Sequence, residues 1–303
     1  MRIFVTGATG FIGSAIVREL LAAGHQVIGL ARSDAAAASL ITAGAEVHRG
    51  ALDDLESLRS GAATSDGVIH TAYFTTSSDM VRSAEVDLRA IETFGAVLAG
   101  SGRPLVVTSG IGLLLPGCLG TEEDAPSPNS AAAPRVASEE AALALASRGV
   151  RVSVVRLPPS VHGEGDHGFI PALIAIAREK CVSAYPGEGL NRWSAVHRFD
   201  AARLFRLALE TAPAGSRLHG VAEEGVSVRD IAGVIGRHLN VPVASLPVSD
   251  ASEHFGWLSY VWHFFSMDLP ASSTLTQQHL GWHPVQPGLL EDLDQNHYFT
   301  NER

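Results

Sequence analysis

The sequence predicts an α/β protein built on a doubly wound parallel sheet, and three observations predict it. A glycine triplet separates a short apolar run from an amphipathic helix at the start of the 303-residue chain. Apolar runs and helical stretches then alternate strictly as far as Leu157. Past Leu157 the alternation lapses into shorter, mixed segments, which predicts a second, smaller lobe.

The first run, Arg2–Thr6 (RIFVT), suits a strand buried in a parallel sheet. Gly7, Gly10 and Gly13 follow at G-x-x-G-x-x-G spacing. Gly7 permits the sharp turn, Gly10 clears the approach to a diphosphate, and Gly13 lets the helix pack closely on the sheet. The helix carries Ile12, Ala15, Ile16, Leu20 and Ala23 on one face, stops at Gly24, and gives way to a second strand over 26–30. Strand, glycine turn, helix and strand in this order predict a dinucleotide site, with the backbone of Thr9, Phe11 and Ile12 beside the three glycines. An ordinary glycine-rich turn is the plainer alternative.

The end of the second strand selects the cofactor. A carboxylate there would bind the ribose 2′-hydroxyl of NAD(H), but the chain reads Ala31-Arg32-Ser33. Arg32 can fork onto a 2′-phosphate and Ser33 can donate to it, so NADP(H) is favoured and NAD(H) stays open. Asp34, two residues on, weakens that preference, and a solvated surface arginine is the alternative for Arg32.

A helix over Asp34–Ala43 ends at Gly44, and 46–48 is a short strand. The turn that follows offers Leu52 to an adenine ring. Gly67–His70 (GVIH) is the fourth strand and empties into Thr71, Ala72 and Tyr73, at the sheet edge where ligands sit. A long helix over 79–98 leads to the fifth strand, 104–108, which ends at Ser109. The stretch 117–134 is turn-rich, and its run Thr121-Glu122-Glu123-Asp124 reads as a solvated loop over the site; 135–147 reads as a helix and 151–156 as the sixth strand. After an irregular loop at 158–163 come a helix over 169–178, a short strand over 182–185, a helix capped by Asp200 that runs to Glu210, and another opened by Ser227 with Asp230 in a capping-box position. The division expected is a Rossmann-type domain over 1–157 and a mainly substrate-binding α+β lobe over 158–303, with some segments returning to the first domain.

Composition narrows the partners. With 46% hydrophobic residues the chain can bury a sizeable core. Twenty-two Lys and Arg against 32 Asp and Glu give a net charge of −10, which argues against nucleic acid and anionic membranes. Cys118 and Cys181 make neither a disulfide framework nor a metal spacing, so no metal is expected and a reduced, cytoplasmic setting fits. No leader pattern or membrane-length apolar run is found.

These residues resemble the extended and atypical short-chain dehydrogenase/reductases, the NAD(P)-dependent epimerase/dehydratase group. The glycine turn Gly7-Ala8-Thr9-Gly10-Phe11-Ile12-Gly13 is similar to the group's opening fingerprint, and Val68-Ile69-His70-Thr71-Ala72 to its strand-four signature. Arg156-Leu157-Pro158-Pro159-Ser160-Val161-His162-Gly163 resembles R-P-x-x-V-Y-G, with His162 in the tyrosine slot. Val196-His197-Arg198-Phe199-Asp200 resembles the H-V-x-D helix start, and Leu280-Gly281-Trp282-His283-Pro284 the L-G-W-x-P segment. The resemblance implies a Rossmann fold, a nicotinamide cofactor touched by Pro158, a small-molecule substrate and, dimers being common in the group, a homodimer.

The group's Y-x-x-x-K pair is replaced. Ser138 and the alanines after it set the register, placing Arg135 in the tyrosine position and Glu139 in the lysine position. A guanidinium is a poor proton donor at neutral pH. Four residues apart on a helix, Arg135 and Glu139 could pair; alternatively Arg135 faces the cleft, near cofactor and substrate, and polarises a carbonyl or carboxylate. Ser109 falls near the group's upstream serine and would bond cofactor or substrate, although one alignment puts Gly110 in that slot. Tyr73 is either an acid/base group or a pocket wall, and His162 either a proton relay or a structural histidine. Asn191, Arg192 and Trp193 form a candidate substrate strip in which Trp193 could stack on a ring. The aromatic stretch 254–265 reads as lobe core, pocket wall or subunit contact, and as a pocket wall it would imply a bulky apolar or aromatic substrate. Two functions follow: an NADP(H)-dependent oxidoreductase acting on a carbonyl or alcohol carbon, or a non-catalytic NADP(H) sensor.

Overall fold

The computed structural model describes residues 1–73, 80–128, 130, 132–247, 249, 254 and 264–300. Its main sheet holds seven parallel strands: β1 (Arg2–Thr6), β2 (Gln26–Ala31), β3 (Glu46–Arg49), β4 (Gly67–His70), β5 (Pro104–Gly110), β6 (Arg151–Leu157) and β10 (Ser216–His219). They lie in the order 3-2-1-4-5-6-10, so the winding reverses between β1 and β4 and opens a crevice there at the carboxyl edge. Successive side chains of a strand face opposite sides. Ile3 and Val5 therefore enter one layer, with α1 (Phe11–Ala22) and α7 (Arg198–Thr211), while Phe4 enters the other, with α3 (Leu55–Ala63), α4 (Met80–Leu98) and α5 (Val136–Ala144). α2 (Asp34–Ala43) stops at Gly44, whose φ of 87° is the left-handed cap.

The smaller lobe has a three-stranded sheet, β11 (Glu223–Ser227), β9 (Arg192–His197) and β7 (Ser160–His162), and a parallel pair, β8 (Ser183–Pro186) with β12 (Val243–Leu246). α6 (Phe169–Lys180), α8 (Val228–Leu239) and α10 (Leu289–Leu293) close its core around Trp193, Ile231 and Phe265. α7 and β10 both pack on the main sheet. No helix among the described residues is long and apolar enough to cross a membrane.

Several expectations change. The 158–163 loop contains β7, whose three residues pair with β9. The cap of α7 is His197, whose Nδ1 accepts the Phe199 N–H at 3.2 Å. Asp200 lies inside the helix, where its buried carboxylate accepts the N–H groups of Val285 and Gln286 and so holds the C-terminal segment. Glu122 is not solvated: it accepts from both the N–H and the hydroxyl of Thr276 at the start of α9 (Thr274–Leu280). The 135–147 helix is α only over Val136–Ala144, with tight turns at Ala133–Arg135 and Leu145–Arg148.

Candidate active site

The crevice is built from strand ends. Gly7 leaves β1 with φ of 69°, a conformation that glycine adopts freely. A Cβ on Gly13 would stand 1.9 Å from the Gly7 carbonyl oxygen, so only glycine allows this turn to meet its helix. α1 has neither a side-chain cap at Gly10 nor an acidic residue in its first turn. Its leading N–H groups, at Phe11, Ile12 and Gly13, are therefore offered to an anion. Thr9 and Gly10 are exposed beside them. These residues fit the diphosphate of a dinucleotide.

At the end of β2, Arg32 is exposed and Ser33 caps α2, accepting the Ala36 N–H at 3.2 Å. Asp34 is matched by Arg49, 2.6 Å away at the end of β3, which leaves less negative charge beside Arg32 than the sequence alone suggests. Leu52 is buried against the core below this corner. Thr71 hangs from the Thr6 carbonyl through its hydroxyl at 2.8 Å, and the Ala72 N–H reaches the Thr6 hydroxyl at 3.3 Å. That hydroxyl also meets His70 Nδ1 at 2.7 Å, and His70 Nε2 meets the buried Asp87 of α4 at 3.1 Å. Burial alone would raise the Asp87 carboxyl. The hydrogen bond and charge of His70, with Arg135 and Ser138 behind them, outweigh it and hold the carboxyl below its usual range.

Arg135 and Glu139 do not pair with each other. Arg135 ends the 3-10 turn Ala133–Arg135, which holds Pro134 and lies outside the α-helix, so the two are not one regular turn apart. Arg135 donates to the Thr108 carbonyl at 2.9 Å and lies over the Tyr73 ring, 4.2 Å from its centroid. Ser109 follows Thr108 directly, so Tyr73, Ser109 and Arg135 gather at the ends of β4 and β5. Burial pushes the Tyr73 phenol above its ordinary value, against the pull of the Arg135 charge and with a smaller push from Asp87. At neutral pH Tyr73 is a protonated hydroxyl.

Glu139 points into the core instead. Its carboxylate accepts the Ser109 hydroxyl at 2.6 Å and is gripped by Arg156, with Nη2 at 2.5 Å and Nε at 3.2 Å from both oxygens. Both partners are completely buried, and Arg217 Nε adds a second cation at 3.5 Å. His219 Nε2 faces Arg156 at 3.3 Å, and its Nδ1 meets the Ser272 carbonyl at 2.7 Å. Burial, aided by the Arg156 charge, lowers the His219 pKa to about 4, so this imidazole is neutral at pH 7.

His162 is buried on β7, its Nδ1 2.9 Å from the carboxylate of Asp292 on α10. Its ring meets His197 edge-on at 5.4 Å. That bond fastens α10 to the lobe sheet. Pro158 is buried at the end of β6. The substrate strip is overturned at Trp193, which is fully buried in the lobe core, its indole N–H bonded to the Phe264 carbonyl at 3.0 Å and its ring against Phe169 and Phe265. Asn191 bonds the carbonyls of Phe265 and Met267, and Arg192 is forked onto Asp268. Of the aromatic stretch, His254, Phe264 and Phe265 are described, and the last two pack in the lobe core; the remaining residues of 254–265 lie outside the described residues.

The comparisons with known proteins agree with the fold. The sequence model of the NAD dependent epimerase/dehydratase family matches residues 3–219. An uncharacterized protein of Schizosaccharomyces pombe is 52% identical over 99% of this chain and 100% of its own length. A 4-hydroxy-2-methyl-3-oxo-4-farnesyl-3,4-dihydroquinoline-1-oxide ketoreductase of Stigmatella aurantiaca is 30% identical over 71% of this chain and 66% of its own. Among solved structures, the Thermus thermophilus UDP-glucose 4-epimerase in complex with NAD superposes with a TM-score of 0.76 at 22% identity, covering 99% of each chain. At that identity the likeness is one of fold.

Proposed function

The chain belongs to the NAD-dependent epimerase/dehydratase family, and from that premise we propose that it is an NADP(H)-dependent oxidoreductase. It would act on a carbonyl or alcohol carbon of a small, apolar or aromatic substrate, without the usual tyrosine and lysine. The observation that carries the reading is the grouping of Tyr73, Ser109 and Arg135 at the β4 and β5 ends, beside a glycine turn that fits a dinucleotide.

A bound nicotinamide supplies the hydride donor or acceptor. Arg135, anchored by Thr108 and backed by the Tyr73 ring, brings a fixed positive charge to an oxygen that gains negative charge. Tyr73, protonated at neutral pH, can donate to that oxygen. The Ser109 hydroxyl donates its hydrogen bond to Glu139, so toward a substrate O–H or N–H it is oriented to accept. The ketoreductase relative, whose named substrate is bulky and largely apolar, supports a carbonyl of that kind.

Arg32 and Ser33, with Asp34 matched by Arg49, support NADP(H) over NAD(H). The first test is a thermal-shift titration with NADPH, NADP+, NADH and NAD+, since a ligand of the native state raises the midpoint by mass action. Stabilisation by the NADP forms alone agrees with the proposal. Equal or greater stabilisation by the NAD forms refutes the preference, and no stabilisation refutes the cofactor site. One observation favours a second reading, an NADP(H) sensor without turnover: the lysine position is occupied by a carboxylate locked in a buried ion pair. Steady NADPH oxidation that requires an added carbonyl compound excludes the sensor.

A further inference from the structure

α1 and α7 pack against each other, and a set of side chains not used above lies along their shared seam. Arg198, the first residue of α7, holds its guanidinium 5.1 Å from the centroid of the Phe11 ring and 4.8 Å from that of Phe199. Arg18 of α1 reaches the same Phe199 ring at 5.7 Å, and His167 meets Phe11 edge-on at 5.7 Å. Phe11 is the residue immediately after Gly10 in the glycine turn. Arg198 thus lies against the ring at the uncapped start of α1, while Arg18, exposed and about two turns along the helix, faces the other ring that Arg198 touches.

The two arginines lie there without carboxylate partners. Arg198 Nε is buried and makes no hydrogen bond, and neither arginine forms an ion pair among the described residues. Burial and the neighbouring Arg18 charge both lower the Arg198 pKa, opposed by Glu164, Asp292 and Tyr298. Aromatic faces hold a cation without neutralising it. The bare backbone beneath matters too: a Cβ on Gly163, at φ of +133°, would stand 3.3 Å from Arg198 Cγ. In the H-V-x-D pattern this position is an uncharged valine. Two like charges brought together and left unmatched are relieved by an anion, and a guanidinium fork suits phosphate oxygens.

We propose that Arg198, supported by Arg18, is a binding residue for the dinucleotide diphosphate, closing over the glycine turn from the α7 side. The proposal rests on the cofactor reading above. It divides the labour at the diphosphate: the turn supplies neutral N–H groups, and α7 supplies the formal positive charge.

The test is calorimetric titration of the intact protein with NADP+ and with adenosine 2′-phosphate, which lacks the diphosphate. If the wild type prefers NAD+, then NAD+ and adenosine replace them. Arg198→Ala and Arg198→Gln are expected to weaken the dinucleotide about tenfold or more and to flatten its salt dependence, leaving the shorter probe unchanged. The glutamine variant keeps most of the stem and carries the test if the alanine variant fails to fold. Arg198→Lys should fall between wild type and Gln. Equal dinucleotide affinity in wild type and variants overturns the proposal, and so does an equal loss for both probes, which would mark a general disturbance of the fold. If the wild type binds neither dinucleotide, the cofactor reading itself has failed and the proposal falls with it.

Discussion

Replacing Glu139 with Gln keeps the shape of the side chain and an oxygen for the Ser109 hydroxyl, but removes the charge that balances Arg156. Both members of the pair are completely buried, and Arg217 Nε lies 3.5 Å from the same carboxylate. A buried cation stripped of its partner costs about 3–5 kcal/mol, most of it desolvation that is no longer offset. In a chain of this size each kcal/mol moves the melting midpoint by roughly 2–4 °C, so Glu139→Gln should melt on the order of 10 °C below wild type. The effect should be strongly coupled. Adding Arg156→Met removes the orphaned cation, so the double variant should regain much of the loss in a double-mutant cycle. Circular-dichroism melts at neutral pH, with urea titrations to check cooperativity, give all four corners. A single variant within about 2 °C of wild type, or a double variant no better than the sum of the two singles, refutes the account of Glu139 as the counter-charge of a dry site. By the same argument, restoring the family lysine with Glu139→Lys should be worse than Gln, because it adds a third cation beside Arg156 and Arg217.

Arg32→Ala should lower affinity for NADP+ by about tenfold or more and leave NAD+ unchanged, read by thermal-shift titration; an unchanged NADP+ response makes Arg32 a surface residue. Gly13→Ala puts a Cβ 1.9 Å from the Gly7 carbonyl oxygen, so it should abolish dinucleotide-induced stabilisation and lower the midpoint without ligand. His219 is held at about 4, below the ordinary histidine value of 6.5, so the unfolded chain takes up the proton first as pH falls. The stability linked to neutral His219 is complete above about pH 6.5 and drains away toward pH 4, and His219→Gln should flatten the urea midpoint across that window. Trp193→Ala should cost about 3–5 kcal/mol in urea unfolding through the cavity it leaves; a loss confined to substrate affinity would return Trp193 to the substrate strip.

The legible parts of the fold were those written in neighbouring residues. GVIH is a buried strand because four residues in succession need two apolar faces, and Ser227 with Asp230 forms its expected cap because both lie within one turn. Gly13 was legible for a similar reason: its spacing from Gly7 is local, and the clash it avoids is with Gly7 itself. Contacts that join distant segments left no such trace. His162 meets Asp292 across 130 positions and Glu122 meets Thr276 across 154, and no periodicity relates them. Asp200 read as a cap because aspartate favours that place, yet its carboxylate serves a segment some 85 residues later. Trp193 beside Asn191 and Arg192 resembled an exposed strip, but alternation along β9 turned the indole into the lobe core.

At the site, register was legible and partnership was not. Aligning Ser138 placed Arg135 and Glu139 in the family's tyrosine and lysine positions, and helical spacing then suggested that they answer each other. The 3-10 turn Ala133–Arg135, with Pro134 within it, decides otherwise, taking Arg135 off the helix and toward Tyr73. Glu139, buried in the first turn of α5, needs a cation and finds it on β6. The chain has therefore not simply lost a positive charge where the family keeps its lysine. The carboxylate at 139 is matched from below by Arg156, and a cation stands instead at 135, fixed by the Thr108 carbonyl next to Ser109. A lysine at 139 would stand beneath the serine; the arginine at 135 stands beside it. With the Ser109 hydroxyl donating to Glu139, the proposed reaction would leave donation toward a substrate oxygen to Arg135 and Tyr73.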